Sequence, residues 1–335
     1  MKRQILVIIA LFLIVAQYSY AQSKSNDYKV IKTIPIEGNG GWDYLTVDRP
    51  GQRLFISHGT CVDVLDLKTE KVVGQIPNTL GVHGIVCVPA LNKGFISAGR
   101  LDSVVVFDLK TLNVVAKIHT DKNPDAILYD HFSNQVFTFN GRGHSVTAID
   151  AKTNAVVGTM PVSGKPESAV TNGKGKIYCN IEDKSTVVEF DAKTLKIDAE
   201  WPLDPGKEPS GLAFDNKFNR LFSACSDSKQ IVVMNAANGK IIATLPMGEG
   251  CDGIIFSPQD RNAVSSNGEG TLTVVHQDGP DSYKVIQTVE TRKSARTIAY
   301  DETTGKIYLS SADVTMENGK RNIAPGSFKI LVVSK

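Results

Sequence analysis

A short phrase recurs along this chain at a nearly constant interval. Asp-x-Lys-Thr occurs four times and two degenerate copies continue the series, with anchors at Asp66, Asp108, Asp150, Asp191, Asn235 and His276. Successive anchors are 42, 42, 41, 44 and 41 residues apart. A fixed period of about 40–45 residues is typical of an array in which each repeat is one supersecondary unit, such as the blade of a propeller.

Within one period, four short apolar runs alternate with turn residues. The first repeat predicts strands over 43–48, 53–58, 61–67 and 71–77, separated by Arg-Pro-Gly-Gln, Gly-Thr and Lys-Thr-Glu. These runs are rich in β-branched and aromatic residues and are bounded by turn formers, as strands are. The Asp-x-Lys-Thr phrase therefore predicts a tight turn between the third and fourth strands of each repeat.

The two ends of the chain complete the seventh repeat. Its third strand is predicted over 328–334, and no fourth strand follows before Lys335. The missing strand is predicted over 28–36, where the sequence is similar to every fourth strand. Pairing of these segments would leave no open edge. We therefore predict an all-β fold, a seven-bladed β-propeller with four-stranded blades that is closed by its own ends, with stacked sandwiches as the alternative.

The first residues are interpreted as a targeting segment. Lys2 and Arg3 precede 12 apolar residues, and the small residues Ser19 and Ala21 suit cleavage before Gln22. A run of 12 is too short to span a bilayer comfortably. We expect a signal peptide over 1–21, one domain over 22–335, no membrane span in the mature chain, and a periplasmic or secreted location. A buried core helix is the alternative.

The expected mature chain carries no net formal charge. Removal of Lys2 and Arg3 reduces 37 basic residues to 35, which equals the 35 acidic residues. A balanced chain exerts no global attraction on nucleic acid or anionic lipid. Nucleic-acid binding through scattered cations is therefore disfavoured, the candidates being Arg100, Arg142, Lys165, Lys207 and Arg296.

The cysteines do not form a disulfide or metal framework. Their number is odd, and neither paired short spacings nor a Cys/His cluster occurs among Cys61, Cys87, Cys179, Cys225 and Cys251. Buried free thiols are the favoured interpretation. A pairing of Cys225 with Cys251 stays open, because the repeat register places both near one rim.

The best-preserved repeat, NPDAILYD…QVFTFNG…SVTAIDAKTNAVVGTMPV, resembles a known family. It is similar to the YVTN-repeat seven-bladed propellers of bacterial envelopes, and the similarity extends over nearly the whole mature chain. Ile-Tyr-Cys-Asn at 177–180 and Val-Phe-Thr-Phe-Asn at 136–140 replace the Tyr-Val-Thr-Asn word. The resemblance implies the fold. Relatives include binding proteins, surface-layer modules and propellers similar to the β-chain of quinoprotein amine dehydrogenase, so the resemblance implies several functions.

Ionisable residues recur where each innermost strand begins. In a propeller these positions surround one mouth of the central channel, and here they are Asp43, His83, Asp125, Glu167, Ser210, Asp252 and Arg296. Adjacent loops contribute His58, Arg100, Arg142, His144, Asp183, Ser226, Glu269 and Asp313. We predict that this rim, together with Trp42, forms a ligand-binding face.

Crowded carboxylates on this rim have two interpretations. Asp43, Asp125, Glu167 and Asp252 could bind calcium or magnesium, which prefer oxygen ligands. The favoured alternative is a polar, water-filled mouth whose charges are balanced by Arg296 and His83. His83 could likewise be a general base or a hydrogen-bonded rim residue, and the second is favoured because no nucleophile motif accompanies it.

Two further features belong to the same face. Trp42 could stack on a ligand or wedge between two blades. The insertion over 312–329 replaces a short turn of the seventh blade, and it is interpreted either as a lid or partner-contact loop or as a floppy insertion.

These observations favour a monomeric, non-catalytic binding scaffold for an unknown small-molecule ligand or envelope protein. The alternative is an enzyme of metal-assisted hydrolase or lactonase-like type, or an accessory subunit of a periplasmic oxidoreductase. Nucleic acid is not expected as a partner.

Overall fold

Each sequence repeat folds into one four-stranded antiparallel sheet. The computed structural model describes residues 27–317 and 320–335, so the predicted signal peptide over 1–21 lies outside the described residues. The first strands along the chain are β1 (Lys29–Pro35), then in blade 1 β2 (Leu45–Asp48), β3 (Arg53–His58), β4 (Cys61–Asp66) and β5 (Lys71–Ile76). Blade 2 contains β6 (Val82–Val88), β7 (Lys93–Ala98), β8 (Ser103–Asp108) and β9 (Val114–His119).

The middle blades have the same four-strand organisation. Blade 3 contains β10 (Pro124–Asp130), β11 (Gln135–Asn140), β12 (Ser145–Asp150) and β13 (Val156–Pro161). Blade 4 contains β14 (Pro166–Thr171), β15 (Lys176–Ile181), β16 (Thr186–Asp191) and β17 (Ile197–Pro202). Blade 5 contains β18 (Pro209–Asp215), β19 (Arg220–Cys225), β20 (Gln230–Asn235) and β21 (Ile241–Pro246).

The last strands complete the ring. Blade 6 contains β22 (Cys251–Ser257), β23 (Asn262–Asn267), β24 (Thr271–Gly279) and β25 (Ser282–Glu290). Later strands are β26 (Ile298–Asp301), β27 (Lys306–Ser311), β28 (Val314–Glu317), β29 (Lys320–Ile323) and β30 (Lys329–Ser334). Within residues 27–317 and 320–335, three short 3-10 helices occupy loops, at Pro89–Leu91, Gly99–Leu101 and Glu182–Lys184. No helix among the described residues is long and apolar enough to cross a membrane.

Blade 7 is assembled from both ends of the chain. Its strand order is β26-β27-β30-β1, and β1 pairs with β30 from Lys29 opposite Ser334 to Pro35 opposite Lys329. Tyr28 adds a link to blade 6, because its hydroxyl donates to Asp260. The predicted seven-bladed propeller and its closure by the N-terminal strand are both confirmed.

The recurring Asp-x-Lys-Thr phrase forms the turn between the third and fourth strands, as predicted. In blade 1, Asp66 Oδ1 accepts hydrogen bonds from the backbone N–H groups of Lys68 and Thr69 and from the Thr69 hydroxyl. Asp150 makes the same contacts with the backbone and hydroxyl of Thr153. The carboxylate thus satisfies turn donors that would otherwise bond to water.

The hydrophobic core is divided among the spaces between neighbouring blades. One cluster joins Leu54 of blade 1 to Phe328 and Ile330 of blade 7, and another joins Phe137 of blade 3 to Phe190 of blade 4. Among the described residues, all seven blade-to-blade spaces contain such a cluster. Stability therefore depends on packing each sheet against both neighbours.

Candidate ligand site at the channel mouth

The rim residues are positioned by hydrogen bonds within a blade and between neighbouring blades. The backbone N–H of Asp43 donates to Ser57 Oγ at 2.7 Å, and its carbonyl accepts from Thr297 Oγ1 of blade 7 at 2.7 Å. The Ser97 hydroxyl of blade 2 donates to the Asp125 carbonyl of blade 3 in the same way. Small hydroxyl residues thus hold the starts of the innermost strands at fixed distances around the channel.

Five of the predicted rim residues form one continuous arc over blades 6, 7, 1, 2 and 3. Arg296 lies 3.0 Å from Asp252 through Nη1 and 3.4 Å from Asp43 through Nη2. The other carboxylate oxygen of Asp43 lies 2.6 Å from His83 Nδ1, and Asp125 lies 3.5 Å from the same nitrogen. Acidic and basic side chains alternate along the arc. Arg296 therefore lies between Asp252 and Asp43, and His83 lies between Asp43 and Asp125.

Burial changes the protonation of this arc. Burial, together with the charges of Asp43 and Asp252, raises the pKa of Asp125 to about 7, against the opposing charge of His83. Burial also raises the pKa of Asp252 to about 6, with Arg296 opposing. For His83, burial favours the neutral ring, but the hydrogen bond to Asp43 and the charge of Asp125 raise its pKa overall. The carboxyl groups of Asp125 and Asp252 therefore keep their protons to a higher pH than exposed carboxyl groups, whose pKa lies near about 4.

Glu167 has a separate set of partners on blade 4. It is 6% exposed, and the Tyr44 hydroxyl donates to its Oε1 at 3.3 Å while Lys165 Nζ lies 3.2 Å from its Oε2. Lys165 also pairs with Glu182. Burial raises the pKa of Glu167 well above its usual range, the charges of Asp125 and Asp252 add to this, and Lys165 opposes it.

Tyr44 crosses the channel from blade 1 to blade 4 and was not predicted as a site residue. The equivalent residue directly after each other rim position is small: Gly84, Ala126, Ser168, Gly211, Gly253 and Thr297. At Gly84 an added Cβ would come within 2.8 Å of Ile127, so the neighbouring strands leave no room between them. The one aromatic residue at this position must therefore extend into the channel. This contrast in size was readable in the aligned repeats.

Above the arc lies a cavity of about 880 Å³ that is open to solvent. It is lined by the strand starts and loops of blades 1, 2, 3 and 7, with Asp43, His83 and Arg296 among the lining residues. Arg100, Lys122 and Arg142 line the side formed by blades 2 and 3. A second cavity of about 370 Å³ lies toward the other end of the channel and is lined mainly by apolar residues, such as Leu212 and Phe214.

Several predicted rim residues do not line the mouth cavity. Ser210 is buried and donates to the Cys251 carbonyl at 2.6 Å, which ties blade 5 to blade 6. His58 is buried beneath Gly38 and Gly40, and its Nδ1 lies 2.7 Å from Asp63. The loop residues outside the cavity lining are His144, Asp183, Ser226, Glu269 and Asp313. Asp183, for example, accepts from the Lys165 backbone at 2.7 Å.

Trp42 and the insertion over 312–329 are packed together. Trp42 is 4% exposed, and its ring stacks on that of Phe328 with the ring centroids 5.9 Å apart. The side chain is thus wedged between blades 7 and 1, and the residue also contributes to the lining of the mouth cavity. The insertion forms the hairpin β28–β29, whose Val314 and Ile323 pack against the same cluster. Met316 near its tip is exposed. In the described residues the insertion is an anchored hairpin beside the mouth.

The four carboxylates proposed as calcium or magnesium ligands are divided in the structure. Ligand atoms of Asp43, His83 and Asp125 lie within 4.8 Å of one another. Glu167 and Asp252 are not part of this group, because Glu167 is held by Tyr44 and Lys165, and Asp252 by Arg296. The Arg296 charge 3.4 Å from Asp43 competes with a cation there. Metal binding on this rim stays a prediction.

The cysteines are all free thiols in the structure. Cys225 and Cys251, for which a disulfide was left open, are buried and unbonded to each other. Burial raises the pKa of both thiols to about 12. Thiols in such surroundings are poor nucleophiles and poor metal ligands. Cys225 belongs to the packing between blades 4 and 5, and Cys251 to the packing between blades 5 and 6.

The fold and the mouth together define a seven-bladed β-propeller with one elaborated polar face. No family model matches the chain, and no curated protein matches its sequence. Among solved structures, a chain in the crystal structure of the mitotic checkpoint complex is similar, with a TM-score of 0.76 and 12% sequence identity. That match covers 98% of this chain and 99% of the other. At this identity the similarity shows the fold alone.

Proposed function

We propose that this chain is a non-catalytic binding protein that takes a small-molecule ligand at the channel mouth. The observation that carries the proposal is the cavity of about 880 Å³ above the Asp43–His83–Arg296 arc. Its volume lies within the range of about 300–1,000 Å³ that ligand pockets occupy. An envelope protein docking on the same face, beside the β28–β29 hairpin, is the other occupant that this geometry admits.

The proposal includes an exported protein of the YVTN-repeat type. The repeat words of blade 3 and the pairing of β1 with β30 support that assignment. The charged start, apolar centre and small residues of 1–21 support export to the periplasm or beyond. A cell-fractionation experiment tests the location, and N-terminal sequencing of the exported chain tests cleavage before Gln22.

The binding proposal is tested by identifying what the protein carries. Freshly purified protein is denatured, and the released small molecules are measured by mass spectrometry for the wild type and for Arg100→Gln/Arg142→Gln. The matched control is Lys217→Gln/Arg261→Gln, which removes the same charge at turns on the opposite face. We expect a molecule that is released by the wild type and the control and lost from the mouth variant. Equal release from all three would refute the mouth as the site.

A metal-assisted hydrolase is the second candidate function, and the Asp43–His83–Asp125 group is the observation that favours it. It is tested by melting EDTA-treated protein with calcium, magnesium, manganese or zinc. A saturable rise in melting temperature that disappears in Asp125→Asn would establish the metal site and call for substrate screening. Under the binding proposal the melting temperature does not respond to any of the four ions.

A further inference from the structure

Among the described residues, three of the four cations that line the mouth cavity make no ion pair, whereas both carboxylates of the lining have partners. Four cations and two carboxylates line the cavity. Asp43 is held by His83 and Arg296, and Asp102 Oδ1 accepts from the backbone N–H of Asn123 at 2.8 Å. In the part of the chain that the structure describes, Arg100, Lys122 and Arg142 make no ion pair.

These three cations are concentrated on one side of the cavity. Arg100 comes from the loop between the second and third strands of blade 2, Lys122 from the entry to blade 3, and Arg142 from the equivalent loop of blade 3. Gly81 allows Arg100 to lie where it does, since an added Cβ would come within 2.6 Å of its Cγ. Asp102 is the one carboxylate that lines this side, so three positive charges face one negative charge. An anion placed among the three cations would therefore be attracted.

His83 presents a further polar atom at this place. Its Nδ1 is occupied by Asp43, and its Nε2 faces Gly99, where an added Cβ would lie 2.7 Å away. The same Cβ would lie 3.1 Å from Asn123 Oδ1. The glycine therefore keeps a space open over the imidazole edge. Asp43 orients the ring, and with a proton on Nε2 this edge donates toward the cavity.

We propose that the mouth cavity binds a small organic polyanion, with Arg100, Lys122 and Arg142 contacting its carboxylate or phosphate groups and His83 Nε2 contacting an oxygen. This inference rests on the proposed function and specifies its ligand. The two arginines suit such groups because a guanidinium can bind two oxygens of one carboxylate or phosphate. Asp43 lines the cavity beside His83 and Arg296, so the anionic groups of a ligand are expected at the level of the three cations, away from this carboxylate.

Titration with known anions tests the chemical class. Citrate represents carboxylates and pyrophosphate represents phosphates, each at constant ionic strength against chloride, with binding followed by calorimetry. We expect saturable binding of at least one probe to the wild type and to Lys217→Gln/Arg261→Gln. Binding to Arg100→Gln/Arg142→Gln should be weaker by about tenfold or more, since two charge-assisted contacts are lost. Unchanged melting temperatures without ligand show that the variants fold.

Other outcomes overturn the inference. Absence of saturable binding by both probes, or equal weakening in both double variants, contradicts a polyanion site. Tight binding of a single-stranded oligonucleotide with steep salt dependence, in the absence of binding by either small probe, assigns the cations to nucleic acid instead. If the molecule released from purified protein depends on the mouth but is neutral or cationic, the binding function stands and the polyanion inference fails.

Discussion

Asp125 shows how a single buried carboxyl makes stability depend on pH. Its pKa is raised from 3.8 to about 7 by burial, and that of Asp252 to about 6. A group with a raised folded-state pKa binds more protons folded than unfolded, so the free energy of unfolding falls as pH rises from the unfolded to the folded value. His83, whose pKa is also raised, acts in the same direction.

We therefore predict that the protein loses stability between about pH 4 and 7, and that Asp125→Asn removes part of this loss. The amide stays neutral in the buried arc at every pH. Urea unfolding at a series of pH values measures the effect. Asp227→Asn, which removes a carboxylate from an exposed loop, is the control and should leave the slope unchanged. A wild-type stability that rises over this interval would contradict the prediction.

Tyr44 is the second residue whose role is local and measurable. Its hydroxyl donates to Glu167 inside the channel, so Tyr44→Phe leaves that buried carboxyl without one of its partners. We expect a loss of about 1–2 kcal/mol in the free energy of unfolding near neutral pH. Tyr129→Phe removes a hydroxyl whose bond to Asn134 is exposed, and we expect less than about 0.5 kcal/mol from it. Chemical denaturation measures the free energy of unfolding of both variants. Equal losses in the two would count against a structural role for the Tyr44–Glu167 contact.

At the scale of the element, the turn between third and fourth strands explains why one phrase was repeated. The Asp side chain accepts hydrogen bonds from the backbone of the turn, and the third residue after it adds a hydroxyl. Directly after this turn a residue adopts a positive φ, as Glu70 and Asn154 do, and a register shift follows in the hairpin. The phrase thus encodes a bulged hairpin.

We predict that Asp150→Ala destabilises the protein by less than about 1 kcal/mol, because the turn is exposed and water replaces the lost acceptor. Asp150→Asn should lose less, since an amide oxygen can accept the same bonds, as Asn235 does from the backbone of Ala237. Thermal melts compare the stability of the two variants with that of the wild type. A larger loss for Asn than for Ala would show that the charge, and not the acceptor, is what matters in this turn.

At the scale of the whole molecule, stability depends on ring closure. β1 belongs to the seventh blade although it precedes the first, and Ile34 on this strand is buried among residues of blades 7 and 1. Ile31, three residues earlier on the same strand, is 47% exposed. Substituting each isoleucine therefore distinguishes the contribution of the hydrophobic packing between blades 7 and 1 from that of strand β1 itself.

We expect Ile34→Ala to lower the free energy of unfolding by about 2–4 kcal/mol, through lost burial and the cavity left behind. Ile31→Ala should change it by less than about 0.5 kcal/mol. Equilibrium unfolding in urea measures both, and hydrogen exchange should show β1 and β30 becoming less protected together in the first variant only. Similar losses at the two positions would mean that closure does not depend on this core contact.

The fold was predictable from the chain because its information is local and repeated. The strands over 53–58 and 61–67 were placed within a residue, since each is a short apolar run bounded by turn formers. The closing strand over 28–36 was predictable because it is similar to every other fourth strand. Seven repetitions of one pattern average out the ambiguity that a single short strand carries.

The candidate site was predictable only in part. The register of the repeats brought Asp43, His83, Asp125, Asp252 and Arg296 to one rim, and the structure joins them in one arc. The same register also included Ser210 and His58, which the structure turns into buried hydrogen-bonding positions. Register gives the height of a residue along the channel. It does not give the direction of its side chain or the partner that the next blade provides.

The sequence by itself determined the number of blades, the turn chemistry and the way the ring closes. Each of these depends on residues close together in the chain or on similarity between repeats. Only the tertiary structure decided that Arg296 pairs with Asp43, that Tyr44 reaches Glu167, and which cations of the mouth have no ion-pair partner. These contacts join residues 253 and 123 positions apart, and they form only after the ring has brought the blades face to face.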